Sequence, residues 1–548
     1  MDLPPELLRE VASHVPLYVR PPTLLSLALT DRRTSKAMLQ VLWNNVVVKS
    51  DRVAELALRQ LSEDSTKGPM VTGIYFLFTN LAAEGYSDED EDDPSILPHR
   101  GFRQRPNALR ALAALEELVS RGLLSRLRTL ASQSWEYRRH TGKFYMAPLH
   151  GLTPSFWSTI GNIPQLRTLV LGCTSLTSVL HLGAADKLNH SPDDEPLGVF
   201  GLKNVRRFSL TLSCRDLRHT TYVSRLTTQL RALSLGAEST SLSSIDLAPV
   251  LELEFPVLEA IYVRAYDIQN SATRFTLFWQ RHPTLQSIDI GSKSPAFPED
   301  IASQTGFLPN LTKITATFLN VRLITPILHQ LTSLVILDPV EAQVPYLLRE
   351  IIPAKLSRLR SLTIRQLQYI PSGLSLESPF AKDVLKDIEN SASVQETGHP
   401  HDFVLDAHLC LIAQAAPLLE EFTWIIRGPR GIEEVYNTIG PGLRNFKRLQ
   451  RFFFPSFFNT DDKDIEHQTR VDHLKEYASK FAQDCPTLAT LGDTSTPLDP
   501  TQVARGYELL RTVRDGHGQF VDAKLDFGYG MVYGQEENAF PLPDYSML

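Results

Sequence analysis

Cysteine is scarce. Four thiols, Cys173, Cys214, Cys410 and Cys485, stand far apart in 548 residues, and no cationic segment with an apolar run behind it opens the chain. A disulfide framework is therefore not expected, and a reducing intracellular setting, cytoplasmic or nuclear, is. No apolar run approaches the roughly 20 residues that a bilayer-spanning helix needs, so no membrane partner is expected. Basic charge is not in excess: 55 Lys and Arg stand against 62 Asp and Glu, a net charge of -7. Without a broad basic field to attract a phosphate backbone, nucleic acid is not expected as a partner.

Several catalytic signatures are also missing. Asp526-Phe527-Gly528 has the letters of a kinase metal-binding triplet, but no glycine-rich phosphate loop or catalytic-loop pattern precedes it. Gly528-Tyr529-Gly530 has no dinucleotide fingerprint around it. His399, His401, Asp402, Asp406, His408 and Cys410 are the densest run of metal-ligand types, yet neither a C-x-x-C pair nor an H-E-x-x-H helix would make them converge. No metal, cofactor or catalytic residue is expected, and the chain reads as a non-enzyme.

What is present begins with MDLPPELLREVASHVP. Pro4 and Pro5 fit a first helical turn, Glu6 sits well at the positive end of the helix dipole, and Leu7, Leu8, Val11 and Val15 make an apolar stripe. About three turns of helix are marginal alone in water, so the stripe needs a partner. Pro21 and Pro22 read as a turn before a second helical segment, and Asp31 and Thr34 as a break that divides it in two. Three short helices, residues 1–48, then cover one another while leaving apolar surface exposed.

Next comes a region, 49–159, read as a helical linker, with an acidic loop at 84–95 that contains the unbroken carboxylates Asp88 to Asp93. Such a run stays solvated, and Ser87 beside it has the context of an acidophilic kinase site. Ala108 to Leu130 resumes a helical pattern.

Beyond residue 160 a pattern recurs, an apolar residue, two variable positions, an apolar, one variable and another apolar. Leu166/Leu169/Leu171 shows it, and it returns from Val205, Leu230, Leu258, Leu285, Leu311, Leu331 and Leu359 at intervals of 20 to 28 positions. Weaker copies follow from Leu419, Leu449 and Leu488. This period fits a strand and a returning helix, stacked so that neighbours hide each other's inward faces. The predicted fold is an α/β solenoid with a parallel sheet over 160–495, an insertion at 365–408 and a C-terminal tail or cap at 496–548.

Leu3-Pro4, Glu6-Leu7-Leu8, Val11, Leu24-Leu25-Ser26-Leu27 and Leu42-Trp43 resemble an F-box domain. The repeats resemble the irregular leucine-rich repeats found behind such modules in fungal-like members. The resemblance implies a substrate-recognition subunit of a ubiquitin ligase, docking on a Skp-type adaptor and through it a cullin-RING ligase. Carried over by residue, the adaptor contacts are Leu3, Pro4, Leu7 and Leu8, with Leu24, Leu25 and Leu27 extending them. The repeats would hold a protein client. Strand alternation turns the variable residues to the opposite sheet face, which nominates Tyr262, Asp289, Thr363 and Thr423, with Arg264 and Tyr266 adjoining. A protein-binding repeat scaffold that recruits no ligase is the alternative.

Overall fold

In the computed structural model, the described residues are 4–13, 15, 20–48, 51–80, 106–138, 143–146, 159–174, 204–212, 229–237, 247–263, 272–291, 295–301, 306–337, 356–366, 409–426, 439–454, 467–493 and 508–527. They form two compact units, one chiefly from Met1–Gln269, the other from Asn270–Asp499 and Gly506–Gly530. Each is a mostly parallel sheet with helices, an open α/β, solenoid-like arrangement.

The first unit starts with α1 (Pro5–Ser13), α2 (Arg20–Ala28) and α3 (Arg32–Asn44). Pro21 and Pro22 lie inside the first turn of α2 rather than in a turn before it. A first turn has no intrahelical use for the amide hydrogens that proline lacks. Asp31 is the N-cap of α3, its carboxylate accepting from the backbone of Arg33 and Thr34, both at 2.8 Å. The break expected there is therefore a capped helix start.

Strands β1 (Asn45–Val48), β2 (Gly73–Asn80) and β3 (Thr129–Arg138) follow, and β4 (Lys143–Met146) pairs antiparallel with the end of β3. Then come β5 (Thr168–Thr174), β6 (Arg207–Leu212), β7 (Ala232–Ala237) and β8 (Ala260–Val263). Apart from β4, neighbours pair in parallel in the order β1-β2-β3-β5-β6-β7-β8. The register aligns Ile74, Leu130, Leu169, Phe208, Leu233 and Ile261, all fully buried, as one apolar row. The sheet thus begins at Asn45, and the stretch expected as a helical linker carries three strands. Its helices α4 (Asp51–Glu63) and α5 (Pro106–Ser120) bury Ala54, Leu58 and Leu61, and Ala111, Leu115 and Leu118.

In the second unit the parallel strands are β9 (Ser287–Ile290), β10 (Lys313–Ala316), β11 (Ser333–Ile336), β12 (Ser361–Gln366), β13 (Glu421–Ile426), β14 (Arg451–Phe454) and β15 (Thr490–Asp493). Their row reads Ile288, Ile314, Leu334, Leu362, Phe422, Phe452, Leu491. An antiparallel hairpin, β16 (Glu508–Arg514) and β17 (Phe520–Phe527), is added to β15. Gly518 turns it with φ +80°, in the left-handed region, while the Asp515 carboxylate accepts from the backbone of His517 and Gln519.

Aromatic side chains take over this core where aliphatic ones served before. Phe452 lies 5.8 Å from Phe422, 5.6 Å from Phe454 and 5.9 Å from Phe481 of α8 (His467–Asp484), counting α6 as Ala272–Arg281 and α7 as Phe318–Leu323. On α6, Trp279 is buried and donates its indole N–H to the carbonyl of Ala296 at 2.8 Å. The loop expected at 84–95 and the insertion from residue 367 onward lie outside the described residues.

Candidate functional site

The N-terminal helices build a small core of their own from Ala12, Leu24, Ala37, Met38 and Val41, with Leu8, Val15, Ala28 and Leu42 packed against it. Arg9 fastens α1 to α3 by donating to the Gln40 side chain at 3.0 Å, and pairs with Glu6 at 3.4 Å. Trp43 receives the Lys67 ammonium over its ring at 4.9 Å. Hydrogen bonds from the Thr34 hydroxyl and amide hold the Asp31 carboxyl below its ordinary pKa, which keeps the cap charged at the helix N-terminus.

With that core filled, apolar side chains remain on the outside. Leu7 and Val11, four apart on α1, are 51% and 59% exposed, and Leu25 on α2 is 48% exposed. Leu27, Leu29 and Leu39 are exposed as well. Residues four apart on a helix share a face, so Leu7 and Val11 form a stripe. Of the residues nominated for the adaptor, Pro4, Leu7, Leu25 and Leu27 are exposed, Leu8 is half-buried against the core, and Leu24 is wholly inside it. Leu24 is therefore a core residue, since packing of α2 on α3 fixes which of two adjacent leucines turns inward. Leu3 lies outside the described residues. Val11 was legible as part of the stripe; Leu29 and Leu39 carried no motif to mark them.

The nominated client residues fare differently. Alternation does place them off the apolar row, but on a face where much of the side-chain surface is hidden. Asp289, Thr363 and Thr423 are all buried, and their role as an exposed recognition surface is corrected accordingly. Parallel sheets are commonly covered on both faces, and a period-two argument gives direction without coverage. In the first unit the same face packs Ala131, Val170 and Ala232 with Tyr75, Ala260 and a half-buried Tyr262. Arg264 and Tyr266 lie outside the described residues.

One charged cluster sits on the same face in the second unit, with its carboxylate buried and its arginine exposed. Glu421 accepts from the Ser361 hydroxyl at 3.0 Å and pairs with Arg451 of the next strand at 2.8 Å. Burial pushes the Glu421 carboxyl above its ordinary pKa, and the Arg451 charge works against that shift. Cys485 is buried too, and burial raises its thiol pKa, the reverse of what a thiolate nucleophile needs.

Among the described residues no group of three or more His, Cys, Asp or Glu side chains converges as a metal site. His399, His401, Asp402, Asp406 and His408 lie outside them, and Cys410 meets the Gln414 amide at 3.3 Å. Asp526 and Phe527 end β17, where Asp526 stands opposite Leu509 in the hairpin. Among the described residues no helix is long and apolar enough to cross a membrane. No family model and no curated protein matches the chain.

Proposed function

We propose that the chain is a substrate receptor of a Skp-cullin-F-box type ubiquitin ligase, with an F-box-like module at residues 1–48 and irregular leucine-rich repeats behind it. The observation that supports the reading is the division of labour within the three helices. Leu24, Ala37, Met38 and Val41 complete a core, while Leu7, Leu25 and Leu27 stay outside at positions where the resemblance puts the adaptor, with Val11 exposed beside Leu7. Apolar side chains grouped on one small module are what a partner's apolar groove would cover. The repeats would carry the protein client, and the transfer chemistry would take place on the ligase, helped by proximity. Association of the full-length protein with a purified Skp-type adaptor tests this. A control F-box that binds where this chain does not would leave a protein-binding repeat scaffold in its place.

A further inference from the structure

The strands of the first unit enter the sheet through a repeated sequence: Leu127-Arg128-Thr129-Leu130, Leu166-Arg167-Thr168-Leu169, Val205-Arg206-Arg207-Phe208 and Leu230-Arg231-Ala232-Leu233. The four arginines at the second position occupy one register. The Arg167 amide donates to the Arg128 carbonyl, Arg206 to Arg167, and Arg231 to Arg206, at 2.7 to 2.8 Å. Residues at one register of adjacent parallel strands leave the sheet on the same side, roughly 4.8 Å apart, so the row spans about 14 Å. Arg128, Arg206 and Arg231 are exposed, and Arg167 is half-buried with its guanidinium directed to the carbonyls of Pro164, Leu166 and Asn204. Among the described residues a single carboxylate, Glu259 at the next position of the register, pairs with the row, meeting Arg231 at 3.1 Å. In the second unit the same position reads Gln286, Thr312, Thr332, Arg360, Glu420, Gln450 and Ala489, and its one arginine is paired with Glu420 at 3.3 Å.

We propose that the row Arg128-Arg167-Arg206-Arg231 docks an extended acidic segment of a partner protein, one that carries several carboxylates or phosphorylated side chains in succession. Among the described residues, four arginines in one register against one acid leave a local positive strip on a chain of net charge -7. Planar guanidinium forks suit carboxylate and phosphate groups. The strip is the length of four or five extended residues, a fit for a short linear segment, and the broad basic field that holds a polynucleotide is lacking. The inference rests on reading the repeats as the client-binding part of the chain. Its test involves no adaptor, so the two readings fail separately.

The experiment is fluorescence anisotropy of a labelled hexa-aspartate peptide titrated with the full-length protein at 50 and 200 mM salt. Binding is expected, weaker at the higher salt because exposed charges are screened. Arg128→Gln with Arg206→Gln is expected to weaken it about five-fold, from two exposed charge pairs of the usual small size. Arg360→Gln is expected to leave it unchanged. Circular dichroism should be native throughout, since neither Arg128 nor Arg206 packs in a core. No binding by the unmodified protein, or less than a two-fold loss in the double variant, would overturn the proposal. So would a hexathymidylate that binds as tightly and depends on the same arginines. A variant with Asp88, Asp90 and Asp92 all changed to Ser that binds the peptide ten-fold tighter would give the row to the chain's own acids and overturn it likewise.

Discussion

Replacing Leu7 and Leu25 by serine should separate binding from folding in the N-terminal module. Complete burial of a leucine side chain is worth about 1.5–3 kcal/mol. Leu7 is 51% and Leu25 48% exposed, so only about half of that remains to be gained on docking. The loss is then about 1 kcal/mol at each position and about 2 kcal/mol for the pair, roughly a 30-fold rise in Kd for the adaptor. The half already buried is lost as well, so the thermal midpoint should fall by the equivalent of about 1 kcal/mol at each position while the helices stay folded. Leu8 would be a poor choice for the same test because it packs against the core cluster of the three helices, which a polar substitution there attacks. Titration calorimetry of the full-length variant against the purified adaptor, with circular dichroism on the same sample, reads both quantities. A change in Kd of less than three-fold with native dichroism would refute the reasoning, since the exposed leucines would then not be the contact.

Phe452→Ala removes a ring stacked on Phe422 and Phe454 and set edge-on to Phe481, and should cost the second unit about 3–5 kcal/mol in guanidinium unfolding. Glu421 has a folded pKa above its unfolded value, so its contribution to stability is full below the unfolded pKa and is lost as pH rises through the folded one. Glu421→Gln should therefore gain stability relative to the parent between pH 4 and pH 7, as read from thermal midpoints; a constant difference would contradict the assignment. Gly68→Ala places a methyl carbon 2.5 Å from the Leu123 carbonyl oxygen, a backbone atom that must shift, and should destabilise the first unit by about 1–3 kcal/mol on a thermal melt.

The apolar row was legible because three positions define it and Leu166, Leu169 and Leu171 fill all three. Leu127-Arg128-Thr129-Leu130 repeats Leu166-Arg167-Thr168-Leu169 letter for letter, yet polar Ser132 at the third position hides it from a search for three apolar residues. Val71/Ile74/Phe76 fits the pattern in full but stands close to the acidic run, where the composition speaks for a loop. The exposed apolar stripe proposed for docking was half legible. Spacing put Leu7 on a stripe, but spacing does not choose between Leu24 and Leu25; Met38 and Val41 of α3 do. The burial of Asp289 and Thr423 was not legible at all, since alternation gives the direction of a side chain and not how much of it the surrounding structure hides.

A parallel stack has no intrinsic length. Each of its end strands offers the next copy of the molecule the same unpaired amides and carbonyls that held the previous strand, which is the geometry of a filament. In the second unit β15 would make that offer, but β16 takes its place running against the direction of the stack, and β17 returns beside β16. The outermost strand, β17, exposes Asp522 and Lys524, charges that a matching edge would have to strip of water. Among the described residues, the hairpin that closes this end of the parallel stack also presents an edge that disfavours growth by a second copy.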